Sequence, residues 1–382
     1  MAVSHTDFIP VCEPCFLGNE ERYVQDAVRS GWISSAGGYL SRFEEEFAAY
    51  CGADFGIACS SGTAALHLAL LAHGIGAGDE VIIPDFTMVA VLNAVLYCGA
   101  TPVFVDVEAD TWNIDADLLR EKVSSRTKAA IVVHTYGHPC EMGAIRDAAV
   151  AAGIPIIEDA AEAHGAEYQG VKCGNLGAAA CFSFFGNKII TTGEGGMVVT
   201  SDRKIAERCR YFRNLCFSLE GPRDYRHGDV GYNYRMTNLQ AALGCAQLER
   251  LDELAERRIR NAKRYTRRLS QVPGLACPVE RQGVKNVYWM YGLVVDEAKF
   301  GISRDALMAQ LTQRGVDSRL FFKPLHSQPL LQRFGLAVTA QYPVTESLSA
   351  RGLYLPSGSG LTDDQLDRVC AAIEAIHHEA KR

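Results

Sequence analysis

Short apolar runs alternate with longer amphipathic stretches between about residues 54 and 202. Most of the runs are rich in Val and Ile and are apolar at successive positions, which is typical of strands buried on both faces of a mainly parallel sheet. Helical patterns fill several of the gaps between them, and this alternation predicts an α/β fold. The predicted strands lie at residues 55–59, 80–83, 102–107, 130–133, 155–157, 180–184 and 197–200, and the intervening helices at 63–73, 115–123 and 142–152.

A long helix is predicted at residues 237–269, in which acidic residues come first and a run of basic residues follows. A basic run can bind nucleic acid, but here Glu253 and Glu256 stand four residues before Arg257 and Arg260. The i,i+4 spacing pairs opposite charges along one side of a helix. We therefore interpret this run as a solvated helix face.

The pattern changes again after Pro273, where a strand-like segment at 288–295 precedes helices at 304–314 and 363–378. This order is typical of a smaller α+β unit. We predict two domains, a large α/β domain at residues 1–250 and a small C-terminal α+β domain at residues 251–382.

The composition and charge of the chain argue against several classes of function. The 382 residues carry a net charge of −7, which gives no support to binding nucleic acid or an anionic membrane. No apolar run approaches the roughly 20 residues that cross a bilayer, and residues 1–7 lack the basic-then-apolar order of an export signal. We expect a cytoplasmic protein whose 13 cysteines are reduced. Cys12 and Cys15 form a C-x-x-C without a second pair at zinc-ligand spacing, so no metal site is expected.

Two polar segments follow predicted strands. Ser60-Ser61-Gly62-Thr63 comes directly after the first strand and opens a helix, whose free N–H groups and dipole suit a phosphate. Ser and Thr also cap helices without any ligand, so both interpretations stand. The strand at 155–157 stops in Glu158-Asp159, where a carboxylate could pair with a cation in a cleft or cap the next helix.

Lys188 closes the segment Phe182-Ser183-Phe184-Phe185-Gly186-Asn187-Lys188, directly after an apolar strand. An amine at such a place should be partly desolvated, which lowers its pKa and makes it a nucleophile toward carbonyl groups. The alternative is a lysine whose charged end reaches solvent.

Taken together, these segments resemble the DegT/DnrJ/EryC1/StrS sugar aminotransferases, which have the fold-type I architecture of PLP enzymes. The resemblance covers nearly the whole chain. It is carried by motifs in a specific order: Ser-Gly-Thr at 61–63, Glu-Asp-Ala-Ala-Glu-Ala at 158–163, Ser-Phe-Phe-Gly-Asn-Lys at 183–188, Gly-Glu-Gly-Gly at 193–196, Gly-Tyr-Asn-Tyr-Arg-Met at 231–236 and Pro-Leu-His at 324–326. Lys188 is kept where a dehydratase branch of the family has His, so transamination is expected.

The resemblance implies a role for each matching residue. Lys188 would bind PLP as a Schiff base, and Asp159 would pair with the pyridinium nitrogen so that the ring can accept electrons. The other implied cofactor contacts are Ser61, Gly62, Thr63 and Ser183 at the phosphate, Asn233 from the neighbouring subunit of a homodimer, Glu162 at the phenolic oxygen, and Ala161 and Met88 at the two ring faces. Met88 departs from the family, which usually has an aromatic residue there, although a thioether can pack on a ring.

The substrate is expected to be a nucleotide-linked keto sugar, with glutamate as the amino donor. The segments around Trp32 and Ser34, at 136–138 and at 183–196 look most like the perosamine-forming branch of the family, which would make the substrate GDP-4-keto-6-deoxymannose. The candidates for substrate contacts are Trp32, Ser34, Arg235, Arg319 and His326. The alternatives are another keto sugar, linked to dTDP or UDP and aminated at C3 or C4, a keto-cyclitol, or a PLP-binding regulator without turnover.

Overall fold

The structure is a computed structural model that describes residues 8–219, 225–336 and 338–382. The part of the N-terminus on which the absence of an export signal was predicted lies outside these residues. The strands are β1 Phe55–Cys59, β2 Glu80–Pro84, β3 Thr101–Val105, β4 Thr127–Val133, β5 Ile156–Asp159, β6 Glu167–Tyr168, β7 Val171–Lys172, β8 Ala179–Ser183, β9 Gly196–Thr200, β10 Leu275–Ala276, β11 Val284–Lys285, β12 Tyr291–Val295, β13 Arg319–Leu320 and β14 Gly352–Leu355.

The helices pack around these strands. They are α1 Glu20–Ser30, α2 Gly38–Cys51, α3 Gly62–Ala72, α4 Val89–Tyr97, α5 Ala116–Glu121, α6 Met142–Ala152, α7 Arg203–Arg213, α8 Asn238–Leu248, α9 Leu251–Leu269, α10 Glu297–Phe300, α11 Arg304–Gln313, α12 Leu330–Arg333, α13 Pro343–Arg351 and α14 Asp363–Ala380. None of them, within the described ranges, is both long and apolar enough to cross a membrane.

The main sheet has seven strands in the order β1-β9-β8-β5-β4-β2-β3, and only β9 runs against the others. Each of the seven predicted strands is present, with ends shifted by a few residues, so the predicted mainly parallel sheet is confirmed. Successive residues of a strand pack into different hydrophobic cores, as Ile82 and Ile83 of β2 do. Because side chains alternate across a strand, both faces of this sheet are covered by helices.

A second sheet is four-stranded and antiparallel, in the order β10-β12-β14-β13. It shares a separate core with α9, α11 and α14, which also takes in Ile9 from the beginning of the described chain. Ile9 pairs with Val316 in a parallel bridge. The predicted α+β character of the C-terminal part is thereby confirmed, while the boundary after residue 250 stays a prediction.

The single helix predicted at 237–269 is wrong, because α8 and α9 are separate helices. Arg250 between them has φ −122° and ψ 11°, which is not helical. The side chain of Glu249 is bound to the beginning of α1, which packs against α8, where it accepts hydrogen bonds from Asn19 and Tyr23. On α9, Arg257 pairs with Glu253 as predicted, but Glu256 pairs with Lys285 and not with Arg260.

Candidate active site

The carboxyl ends of the parallel strands meet at one edge of the main sheet, and polar residues follow several of them. Ser61 follows β1, Asp85 follows β2, Asp159 ends β5 and Ser183 ends β8. The antiparallel β9 begins at this same edge, so the loop between β8 and β9 lies there too. In open α/β sheets this edge is where ligands bind, and the loop carries Lys188.

Lys188 sits in a tight turn in which its N–H donates to the carbonyl of Phe185 at 2.9 Å. Its side chain is 11% exposed, and Nζ lies 3.7 Å from the centre of the Trp289 ring and 3.9 Å from Oε1 of Glu162. Burial lowers the pKa of Lys188, while the charges of Glu162 and Asp159 act in the opposite direction. A desolvated amine is more often neutral and therefore nucleophilic.

The adjacent carboxylates Glu158 and Asp159 point to opposite faces of β5, because side chains alternate along a strand. Glu158 is fully buried, and its two oxygens accept hydrogen bonds from backbone N–H groups and from His134. Asp159 faces the lysine side instead, where its Oδ1 accepts the N–H of Ala161 at 3.1 Å. Of the two carboxylates, Asp159 therefore faces the lysine, whereas Glu158 is enclosed by hydrogen-bond donors on the other face of the sheet. No helix follows Asp159, so the helix-cap interpretation is wrong.

Burial raises the pKa of Asp159, and the N–H of Ala161 and the charge of Lys188 oppose that rise. Burial also raises the pKa of Glu162, which the charge of Lys188 lowers in turn. The N–H of Tyr136 donates to Oε2 of Glu162 at 2.8 Å, so Oε1 is left to face Lys188. The site therefore holds two buried carboxyl groups beside one buried amine.

The N-terminus of α3 adjoins Ser183. Ser61 caps the helix, since its Oγ accepts the N–H of Ala64 at 3.1 Å, which is the capping role that the sequence left open. Gly62 begins the helix so close to β8 that a Cβ added there would lie 2.8 Å from Cβ of Ser183. Free N–H groups, the helix dipole and the hydroxyl groups of Ser61 and Ser183 therefore lie close together, with Thr63 in the first turn of the helix.

The segment that holds Asn233 and Arg235 passes beside the end of β1, where the N–H of Ser60 donates to the carbonyl of Tyr234 at 2.8 Å. Asn233 is exposed, and its Oδ1 accepts a hydrogen bond from Nε of Arg235. Arg235 also donates to Asn214 and lines a cavity of about 180 Å³. The described contacts do not bring Asn233 to Lys188.

Four further candidates have no described contact with Lys188; they are Trp32, Ser34, Met88 and Arg319. The loop of Trp32 and Ser34 is held to α8, where their backbone carbonyls accept hydrogen bonds from Asn238. Trp32 and Met88 are more than half exposed. Arg319 is exposed and pairs with Asp317 in its own strand region.

His326 is the candidate whose structural partner is best defined. Its Nδ1 and its backbone N–H both lie 2.7 Å from the carboxylate of Asp85, which is fully buried. The pair connects the end of β2 with the Pro324-Leu325-His326 segment. The sequence prediction missed Asp85. The signal was present, because Asp85 comes soon after a predicted strand, just as Asp159 stands at the end of one.

The sequence prediction also missed Trp289 and Arg258, which contact the lysine loop from the segment before β12 and from α9. Nε1 of Trp289 donates to the carbonyl of Asn187 at 2.9 Å. Arg258 is 2% exposed and its Nη2 lies 3.4 Å from the carbonyl of Lys188. No spacing in the sequence connects positions so far apart, so only the fold could reveal these contacts.

A profile of the DegT/DnrJ/EryC1/StrS aminotransferase family matches residues 14–374. This chain belongs to that family. The predicted enzyme class, a PLP-dependent aminotransferase with the fold-type I architecture, is thereby confirmed. The GDP-perosamine synthase of Vibrio cholerae is 42% identical over 366 residues, which cover 96% of this chain and 98% of that protein. The GDP-perosamine synthase of Caulobacter vibrioides is 44% identical over 369 residues, again 96% and 98% of the two chains.

Solved structures agree with the family assignment. The structure of S. venezuelae DesV in complex with a ketimine intermediate superposes with a TM-score of 0.87 at 37% identity, and 95% of each chain is covered. The side chains at the sheet edge of this aminotransferase fit PLP. Because Gly62 has no side chain, the N-terminus of α3 can approach Ser183 closely, and its N–H groups suit a phosphate. Lys188 offers an amine for the aldehyde of PLP, and Asp159 offers a carboxylate for the ring nitrogen.

Proposed function

We propose that this aminotransferase moves the amino group of glutamate to GDP-4-keto-6-deoxymannose and thereby forms GDP-perosamine. The observation that carries the substrate is the similarity to two GDP-perosamine synthases over nearly the full length of each chain. The cluster of Lys188, Asp159 and Glu162 at the sheet edge supports amino transfer. Reduced thiols fit a reaction in the cytoplasm, since all 13 cysteines are free.

In this proposal Lys188 both holds the cofactor and moves the proton. Its Nζ would hold PLP through the aldehyde carbon, and the same amine, when free, would take the proton from the glutamate Cα as a general base and later return it as a general acid. PLP, when bound, supplies a protonated pyridine ring that takes up the electron pair left by the broken C–H bond. In the second half-reaction Lys188 would deliver a proton to the sugar carbon that receives the amino group.

Asp159 and Glu162 would have different tasks. Asp159 would accept the ring N–H, and a positive partner would restore the charged form that burial now disfavours. Glu162 would lie at the phenolic oxygen, because the N–H of Tyr136 holds its Oε2 and turns Oε1 toward Lys188. Ala161, which lies between them in the sequence, would contact one face of the ring and Met88 the other.

We propose that the phosphate is bound by Ser61, Gly62, Thr63 and Ser183 together with Asn233 of a second copy. Asn233 is exposed and joined to Arg235, which suits a contact made across a homodimer interface. Among the described residues Arg235 donates to the side-chain oxygens of Asn233 and Asn214 and pairs with no carboxylate, which suits a guanidinium that receives the glutamate carboxylate. Trp32, Ser34, Arg319 and His326 remain candidates for the nucleotide and the sugar.

The test follows the visible absorption of the PLP-loaded protein. We expect glutamate to bleach the yellow band, and the band to return when GDP-4-keto-6-deoxymannose is added after desalting. Because both half-reactions share one site, initial-rate lines should be parallel. A band that returns only with a dTDP- or UDP-linked sugar or a keto-cyclitol would refute the substrate, and a band that glutamate does not bleach would refute amino transfer.

A further inference from the structure

We propose that Arg258 is a positioning residue for Lys188: it fixes the lysine loop to the segment that precedes β12 and places a permanent positive charge near the amine. The inference rests on the proposed function, because it assigns the lysine its catalytic form. It begins from the position of Arg258 on α9, whose side chain reaches into the molecule instead of joining the solvated face formed by its neighbours.

Arg258 connects four parts of the chain that are distant in sequence. Its guanidinium donates to the carbonyl of Trp289 at 2.5 Å, to Oγ of Ser359 at 3.1 Å, to Sγ of Cys12 at 3.3 Å and to the carbonyl of Lys188 at 3.4 Å. Trp289 closes the arrangement, because its ring lies under Nζ of Lys188 while its Nε1 holds the carbonyl of Asn187. The position of the lysine therefore depends on a guanidinium from outside the main sheet.

The partners of Arg258 within the described ranges are two carbonyls, a hydroxyl and a thiol, and none of them is a carboxylate. A guanidinium stays protonated at every accessible pH. Because none of these partners carries a negative charge that would neutralise it, the field of the guanidinium is not cancelled locally. A structural link alone could be made by a neutral side chain, which makes the retained charge the informative feature.

The charge acts on an amine that other groups also influence. Arg258 lowers the pKa of Lys188 together with burial, whereas Glu162, Asp159 and Cys12 raise it. Buried His164 also faces the lysine, but its own pKa is lowered to about 3, so it is neutral near pH 7. The two carboxylates would favour a charged lysine, which is neither a nucleophile nor a base. Arg258 opposes them and favours the neutral amine that both proposed tasks need.

The test measures the amine in the cofactor-free protein, so its result does not depend on whether transamination occurs. Acetic anhydride acetylates only neutral amines, and mass spectrometry of the Lys188 peptide across a pH series gives the midpoint of its titration. We expect Arg258→Gln to raise this midpoint by about one pH unit, since it removes a like charge but keeps N–H donors. Arg258→Lys, which keeps the charge, should stay near the wild-type midpoint.

Arg260→Gln is the matched control, because Arg260 is exposed on the same helix and loses the same charge. A purely structural role predicts similar midpoints in Arg258→Gln and Arg258→Lys. That result, or an Arg258→Gln midpoint equal to that of Arg260→Gln, would overturn the proposal.

A second pair of variants leaves Arg258 unchanged and tests the same electrostatic role if Arg258→Gln does not fold. Ser359→Asp would place a carboxylate next to Nε, where the serine oxygen now lies at 3.1 Å, and Ser359→Asn would be its neutral counterpart. Neutralising the guanidinium should raise the Lys188 midpoint in Ser359→Asp only. Equal midpoints in the two Ser359 variants would contradict the electrostatic role.

Discussion

The neighbours Glu158 and Asp159 allow one prediction to separate structure from chemistry. Glu158→Gln should destabilise the fold and leave the chemistry of the folded fraction intact, whereas Asp159→Asn should do the reverse. The reason is that Glu158 is surrounded by donors: Oε1 accepts the N–H groups of Leu176 and Gly177 at 2.7 Å each, and Oε2 accepts Gly174 N–H at 2.9 Å and His134 Nε2 at 3.0 Å.

The loss can be estimated from this geometry. An amide in place of the carboxylate presents one NH₂ group, which must face two donors whichever way it is turned. His134 cannot exchange its proton to help, because its Nδ1 already accepts the N–H of Cys140 at 3.1 Å. Two hydrogen bonds to a charged group, worth about 1.5–3 kcal/mol each, are then lost, which gives about 3–6 kcal/mol. Asp159→Asn keeps an oxygen for Ala161 N–H and removes a charge that burial disfavours.

Urea unfolding of the cofactor-free proteins measures the free energy of unfolding, with Glu207→Gln on the exposed side of α7 as control. We expect the midpoint to fall strongly for Glu158→Gln only, and Asp159→Asn to be as stable as wild type or slightly more so. Turnover at low temperature should survive in Glu158→Gln and be lost in Asp159→Asn. A Glu158→Gln protein within about 1 kcal/mol of wild type would refute the hydrogen-bond argument.

Three further predictions follow from the same geometry. Because burial lowers the pKa of Lys188, the unfolded chain binds the lysine proton more tightly than the folded protein does. Lys188→Met should therefore have a larger free energy of unfolding than wild type at pH 7, and this difference should disappear toward about pH 10. A difference that does not change with pH would contradict this. In Gly62→Ala the new Cβ would lie 2.8 Å from that of Ser183, so PLP affinity measured by absorbance should fall about tenfold or more, while Gly186→Ala, which meets no atom within 4 Å, should bind normally. If Asn233 contributes to the partner's active site, mixing inactive Lys188→Ala and Asn233→Ala chains should restore about a quarter of wild-type activity, because about half of the dimers are hybrids with one intact site. No recovery after subunit exchange would place Asn233 outside a shared site.

The parallel sheet and its polar edge could be predicted because their signals are local. Each strand was predicted from a short apolar run, and Ser61, Asp159 and Ser183 each stood at or near the end of such a run. Parallel strands bring those ends together, so a shared site followed from the fold class. The capping role of Ser61 was also legible, since the same residue types cap helices with or without a ligand.

Other features depend on contacts that no pattern encodes. The break between α8 and α9 lies inside a continuous helical pattern, and tertiary contacts of Glu249 accompany it. The choice between Glu158 and Asp159 required the register of β5, because a shift of one residue exchanges the two faces. Arg258 looked like part of a basic surface run until α9 was seen to turn that one residue inward.

The central claim is that Lys188 is the residue that carries the cofactor. Borohydride reduction of the PLP-loaded protein, followed by proteolysis and mass spectrometry, fixes the cofactor to the lysine that holds it. The account predicts one pyridoxyl group per chain on the peptide that contains Lys188, and none in a sample first treated with glutamate. A pyridoxyl group on another lysine, or an unmodified Lys188 in the yellow protein, would contradict it.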